Sequence, residues 1–85
     1  MLTDLPNVGP KVAAKLEAIG IAAPEDLQGR DGEQLYEQLC ALNGRRHDPC
    51  LLDTFVAAVA YADGGPPLPW WHFSRRRKAR EQARR

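Results

Sequence analysis

The sequence predicts an all-α protein of four or five helices in one small domain. Apolar residues recur at helical spacing in three separate stretches, and no run alternates with period two for long enough to propose a sheet. Proline, glycine, asparagine and aspartate stand between those stretches as start and stop signals. With 85 residues, of which 44% are hydrophobic, the chain can hold one core, near the lower limit for a fold without staples.

Asp4-Leu5-Pro6-Asn7-Val8-Gly9 reads as a turn, because proline, asparagine and glycine cluster there. Pro10 suits a first helical position, where its missing N–H costs nothing. Val12, Ala13, Leu16 and Ile19 place a helix at 10–19, Gly20 supplies a left-handed stop, and Ile21 follows as an apolar plug. Pro24-Glu25-Asp26-Leu27 reads as a short helical turn with acids at its N-terminal end. Asp31 is an N-cap, with Gln34 completing an approximate capping box. Leu35, Tyr36, Leu39 and Leu42 form the buried stripe of a helix at about 32–43, ended by Asn43-Gly44.

Asp48-Pro49 repeats the cap-then-proline start, and Leu51, Leu52, Phe55, Val56 and Val59 carry a helix to about Ala62. Gly64-Gly65-Pro66-Pro67-Leu68-Pro69 cannot be helical. Trp70-Trp71-His72-Phe73 reads as an aromatic knot, and Ser74 as the cap of a last, very basic helix. The expected organisation is a helical core at 1–63, a Pro-rich linker and Trp-Trp segment packing on it at 64–73, and a basic C-terminal arm at 74–85.

Composition narrows the function. So small a chain has little room for a deep substrate cleft and its supporting shell, so an enzyme is not expected. No stretch of about 18 apolar residues suggests a membrane span. Met1-Leu2-Thr3-Asp4 lacks the basic start and apolar run of a secretory signal, which leaves the cytoplasm as the expected compartment. Cys40 and Cys50 are too few for the disulfide framework of a small secreted domain. The net charge of +1 hides an asymmetry: residues 1–73 carry five basic and ten acidic side chains, and residues 74–85 carry seven basic against Glu81 alone. The tail favours a polyanion that the body would repel, so any nucleic-acid contact must be confined to a few local sites.

Leu5-Pro6-Asn7-Val8-Gly9-Pro10-Lys11-Val12-Ala13-Ala14-Lys15-Leu16-Glu17-Ala18-Ile19-Gly20-Ile21 resembles the helix-hairpin-helix motif almost position by position. The resemblance makes Val8 the buried hydrophobe, Gly9 the second glycine of the turn, Ala13 the close-packing alanine and Leu16 the core leucine. It implies that backbone N–H groups around Asn7, Val8 and Gly9 meet a phosphate oxygen at a helix N-terminus, where the dipole and unpaired donors favour an anion. Lys11 and Lys15, four apart, would flank the same strand. Asn7 departs from the motif's first glycine, yet asparagine is among the residues that best tolerate a left-handed backbone. The segment ahead of the turn offers barely one turn of a first helix.

The rest of the chain narrows the resemblance. Tyr36-Glu37-Gln38-Leu39-Cys40, Arg45-Arg46-His47-Asp48-Pro49-Cys50, Asp53-Thr54-Phe55, Pro69-Trp70-Trp71 and a basic end follow in the order seen in short bacterial proteins called pathogenicity-locus or mitomycin-resistance proteins. This sequence looks like a member from about Leu5 to Lys78. The resemblance implies a bacterial cytoplasmic protein, a SAM-like bundle with a helix-hairpin-helix motif, and a link to DNA without a characterised activity.

Other residues admit two readings. Cys40, His47, Cys50 and His72 invite a zinc site, but their spacing matches none of the tight ligand pairs, so neither metal nor cofactor is expected. Cys50 beside Arg45, Arg46 and His47 resembles an activated thiol, with the arginines lowering its pKa. The plainer reading, which we favour, is a capped helix start with arginine–carboxylate contacts. Trp70 and Trp71 suit either a platform for unpaired bases or, more commonly, a lid on a small core, with one packed and the other partly exposed. Arg75, Arg76, Arg77 and Lys78 form either a nucleic-acid arm or a solvated terminus. The expected function is sequence-nonspecific binding of the DNA sugar–phosphate backbone by the hairpin and the arm, accessory to DNA repair or processing. The rival is a protein–protein adaptor using the acidic 25–37 region or Trp70 and Trp71.

Overall fold

The computed structural model describes residues 1–83. Its helices are α1 (Pro10–Ala18), α2 (Gly32–Asn43), α3 (Pro49–Ala62) and α4 (Trp70–Ala83), with short 3-10 turns at Leu2–Asp4 and Pro24–Leu27. Among the described residues there is no strand. The punctuation read from the sequence sets the helix ends. After α1, Gly20 is left-handed at φ 91°, which lets the Ile21 N–H donate to the Leu16 carbonyl at 3.0 Å and turns Ile21 into the core. The Asp31 carboxylate accepts from the Glu33 N–H at 2.9 Å, and that of Asp48 from the Cys50 N–H at 2.8 Å. Asp31 caps α2 as expected, with its side-chain bond made to the Glu33 N–H rather than to Gln34.

Leu16, Ile21, Leu27, Leu35, Leu39 and Phe55 are fully enclosed, and Leu2, Leu5, Val8 and Ala13 close the core at its N-terminal end. Burying a side chain of this size stabilises the fold by about 1.5–3 kcal/mol. Two features depart from the sequence reading. Leu42 is 58% exposed, because the inward face of α2 is made by Leu35, Tyr36, Leu39 and Cys40 instead. Gly32 is buried where α2 meets α3: a Cβ there would lie 2.8 Å from the Val56 Cα, so glycine permits the backbones to approach.

The C-terminal segment differs most. The expected very basic helix is present as α4, but it begins at Trp70, four residues before the expected cap, and runs to Ala83. Ser74 is therefore inside the helix, not at its start. Phe73 and Ser74 are buried, and Arg77 lies one turn further along the same face. Beneath them Asp53 on α3 is only 2% exposed; the Ser74 hydroxyl donates to its carboxylate, and the Arg77 guanidinium reaches it at 3.0 Å. Charge-assisted bonds of this kind are what allow a buried carboxylate.

Gly32→Ala should lower stability by about 1–3 kcal/mol through overpacking, although alanine is the better helix former; an unchanged urea midpoint would show that the helices separate freely. Arg77→Ala, which strands the Asp53 carboxylate, should cost about 3–5 kcal/mol. Removing both charges in Asp53→Leu/Arg77→Met should cost less than Arg77→Ala alone, a ranking that thermal melts of the three proteins check.

Candidate nucleic-acid interface

Leu5 and Val8 are both buried, and the Val8 N–H donates to the Leu5 carbonyl at 3.3 Å, so Pro6 and Asn7 form the outer bend of the turn. Asn7 is left-handed at φ 69°, as its chemistry allows. Its side chain has a task that the sequence did not suggest. The Nδ2 donates to the Leu68 carbonyl at 2.9 Å, and the Oδ1 accepts from the Trp70 N–H at 3.3 Å. The amide thus clamps the end of the Pro-rich segment and the start of α4 onto the turn.

Gly9 caps α1 with an extended backbone and no side-chain bond, and Pro10 follows at the first helical position. A Cβ at Gly9 would meet nothing within 4 Å, so packing makes no demand for glycine there. Among the described residues the N–H groups of Gly9, Lys11 and Val12 have no protein acceptor, while that of Ala13 bonds to the Gly9 carbonyl at 2.9 Å. Lys11 is exposed, Lys15 is partly so, and the two line one shallow groove with Leu39 and Asn43.

That groove continues into residues the sequence reading did not assign to binding. The Asn43 Oδ1 lies 2.7 Å from the His47 Nε2. The His47 pKa is held below its ordinary value by desolvation, and then by the positive charges of Arg45 and Lys15. Arg45 is exposed close by, two positions after Asn43 of the groove. The only sequence signal for it was its place just after the Asn43-Gly44 helix stop.

The four basic residues 75–78 do not act as one group. Arg75, Arg76 and Lys78 are exposed, but Arg77 faces inward, bonded to Asp53 and, at 3.1 Å, to Glu81. Those bonds, the one to Asp53 first, raise its pKa further. Arg80 lies 3.4 Å from Glu33, and Arg84 and Arg85 of the expected arm lie outside the described residues. Trp70 is half-buried, Trp71 is 50% exposed, and the Arg75 guanidinium carbon sits 5.4 Å from the Trp71 ring centroid. The most buried aromatic of this segment is Phe73, with Trp70 partly buried and Trp71 the more exposed of the two tryptophans.

The cysteines and histidines are dispersed. Cys40 is buried and its Sγ accepts from the His47 N–H at 3.4 Å, Cys50 is exposed at the start of α3, and His72 packs edge-on to Phe73. Among the described residues no three histidine, cysteine or carboxylate side chains gather where they would hold a metal ion. The environment of Cys50 runs against the activated-thiol alternative: the adjoining Asp48 carboxylate, by hydrogen bonding, and then desolvation push its thiol pKa up. Arg46 is engaged elsewhere, 2.7 Å from Glu37 and stacked over Tyr36, in keeping with the capped-start reading.

The family model described as Pathogenicity locus matches residues 1–79, most of the described helical structure. The chain belongs to the Pathogenicity locus family. A relative in keeping with this is the Mitomycin resistance protein McrB of Streptomyces lavendulae, 51% identical over 77 residues, which cover 91% of this chain and 73% of the relative. No solved structure matches. The match to this Pathogenicity locus family spans both the Asn7 turn and the Asp53–Arg77 pair, so it extends over the N-terminal core and most of α4.

Native protein treated with iodoacetamide should be alkylated at Cys50 with a half-maximal rate at a higher pH than a small free thiol shows. Cys40 should react only in denaturant. Peptide mass spectrometry over a pH series checks both, and fast labelling of Cys50 at neutral pH would restore the activated-thiol reading.

Proposed function

We propose that this chain binds the sugar–phosphate backbone of DNA without sequence preference, with the Asn7–Val12 segment as its point of contact. The observation that carries the reading is the start of α1: backbone N–H groups of Gly9, Lys11 and Val12 without protein acceptors, beside a glycine that packing does not require. A helix N-terminus in this state favours an anion through its dipole and its free donors, and the absence of a side chain at Gly9 permits close approach. The resemblance of Leu5–Ile21 to helix-hairpin-helix motifs supports the same reading. Lys11, Lys15 and Arg45 supply charge at the margin, and Arg75, Arg76 and Lys78 supply longer-range attraction. Arg77 is excluded from that role by its pairing with Asp53.

The proposed activity is binding, with no catalytic step, metal or cofactor, in a cytoplasmic protein accessory to DNA repair or processing. The name of the Streptomyces lavendulae relative, a mitomycin resistance protein, is the reason to seek its cellular role in drug challenge.

Binding to a random-sequence duplex across a salt series tests the proposal. Lys11→Gln and Lys15→Gln should each flatten the log–log salt slope by roughly 0.9 for every phosphate no longer neutralised. Gly9→Val should weaken binding while leaving most of the slope intact, because it blocks approach without removing charge. Since a Cβ at this position meets no protein atom, the variant should fold, as circular dichroism can verify. A folded Gly9→Val protein that binds as tightly as the parent would make the turn a packing element and favour a protein–protein adaptor.

A further inference from the structure

Trp71 is a large aromatic side chain on the basic helix that packing leaves half free. Phe73 fills the space against α3, and Trp70 lies half-buried where Asn7 holds its backbone, yet Trp71 is 50% exposed. Its surroundings are cationic. The Arg75 guanidinium carbon lies 5.4 Å from the ring centroid, and Lys78, one turn further along α4, lines the same shallow concavity. A flat aromatic face beside two cations is complementary to a nucleobase with its flanking phosphates. A base inside a duplex is already stacked on its neighbours, so only an unpaired one can offer its face.

This platform lies near the N-terminal turn. Asn7 bonds to both Leu68 and Trp70, so Gly9 and Trp71 each lie within two residues of that clamp. Chain and side-chain dimensions then limit the separation of their Cα atoms to about 20 Å, the length of roughly six base-pair steps of duplex.

We propose that Trp71, Arg75 and Lys78 form a stacking site for an unpaired base, so that the DNA preferred by this protein is a duplex carrying a single-stranded extension. The inference rests on the backbone-binding reading above and names the substrate class of the same surface.

The test compares a labelled blunt duplex, the same duplex with an extension of about six nucleotides, and the single strand alone, using the full chain. The extension should tighten binding roughly tenfold. Trp71→Ala should abolish that advantage while leaving blunt-duplex affinity within about twofold, and Trp71→Phe should retain much of it, because stacking needs only an aromatic face. A Trp70→Phe protein, with Trp71 its remaining tryptophan, should show fluorescence quenching by the extended duplex and not by the blunt one. Equal affinity for blunt and extended duplexes, or an advantage that survives Trp71→Ala, would overturn the stacking site and leave the backbone reading intact. Quenching by the single strand without any duplex binding would uphold the stacking site and defeat the duplex reading. If no nucleic acid binds, both fall.

Discussion

A carboxylate that is 2% exposed has to be satisfied by the fold, and the placement of the basic helix follows from that requirement at Asp53. Leaving such a group buried without partners costs several kcal/mol. Here Ser74 and Arg77 supply the partners, one helical turn apart on the same face of α4. With Phe73 beside them, they turn what would be a soluble cationic tail into a structural helix lying on α3. The same interaction divides the tail's charge into two parts. Arg77 is consumed internally, whereas Arg75, Arg76 and Lys78 are left outward along a fixed helical surface.

A helix presents cations differently from a flexible arm. Residues three and four apart share a face, so Arg75 and Lys78 fall together beside Trp71, while Arg76 and Arg80 line the groove next to Glu33. The acidic body therefore interacts with α4 directly as well as through its overall field. Glu33 takes Arg80, Asp53 takes Arg77, and Glu81 adds a second partner to Arg77 from within α4. What remains for an external polyanion is local, as the opposed charges of the two parts of the sequence require.

Much of the fold was legible because its boundaries are written in residues with narrow backbone preferences. Pro10, Gly20, Asp31, Gly44, Asp48 and Pro49 set the ends of α1, α2 and the start of α3 to within a residue or so of their observed places. The basic helix α4 was expected but its start was misplaced, because its inward face is Phe73, Ser74 and Arg77, which carry almost no apolar periodicity; the attraction to the core comes from Asp53 on α3, which spacing alone cannot reveal. Gly32 was missed for a related reason: its value lies in what it leaves out, against a backbone 24 positions away in sequence. At the turn, the left-handed backbone of Asn7 was readable from residue chemistry. Its two hydrogen bonds were not, because Leu68 and Trp70 carry no mark of that partnership.

Those bonds also bear on the order in which the molecule can assemble. Asn7 meets Leu68 and Trp70 across 61 and 63 positions of sequence, closing most of the chain into a single loop. Contacts of such long separation form only after the entropy of loop closure has been met, whereas α1 to α3 join through nearer neighbours. The Asn7 turn therefore depends for its final form on a segment remote from it in sequence. Its side-chain amide finds both partners only when the start of α4 lies against it, so the surface around Gly9 is completed by the docking of α4.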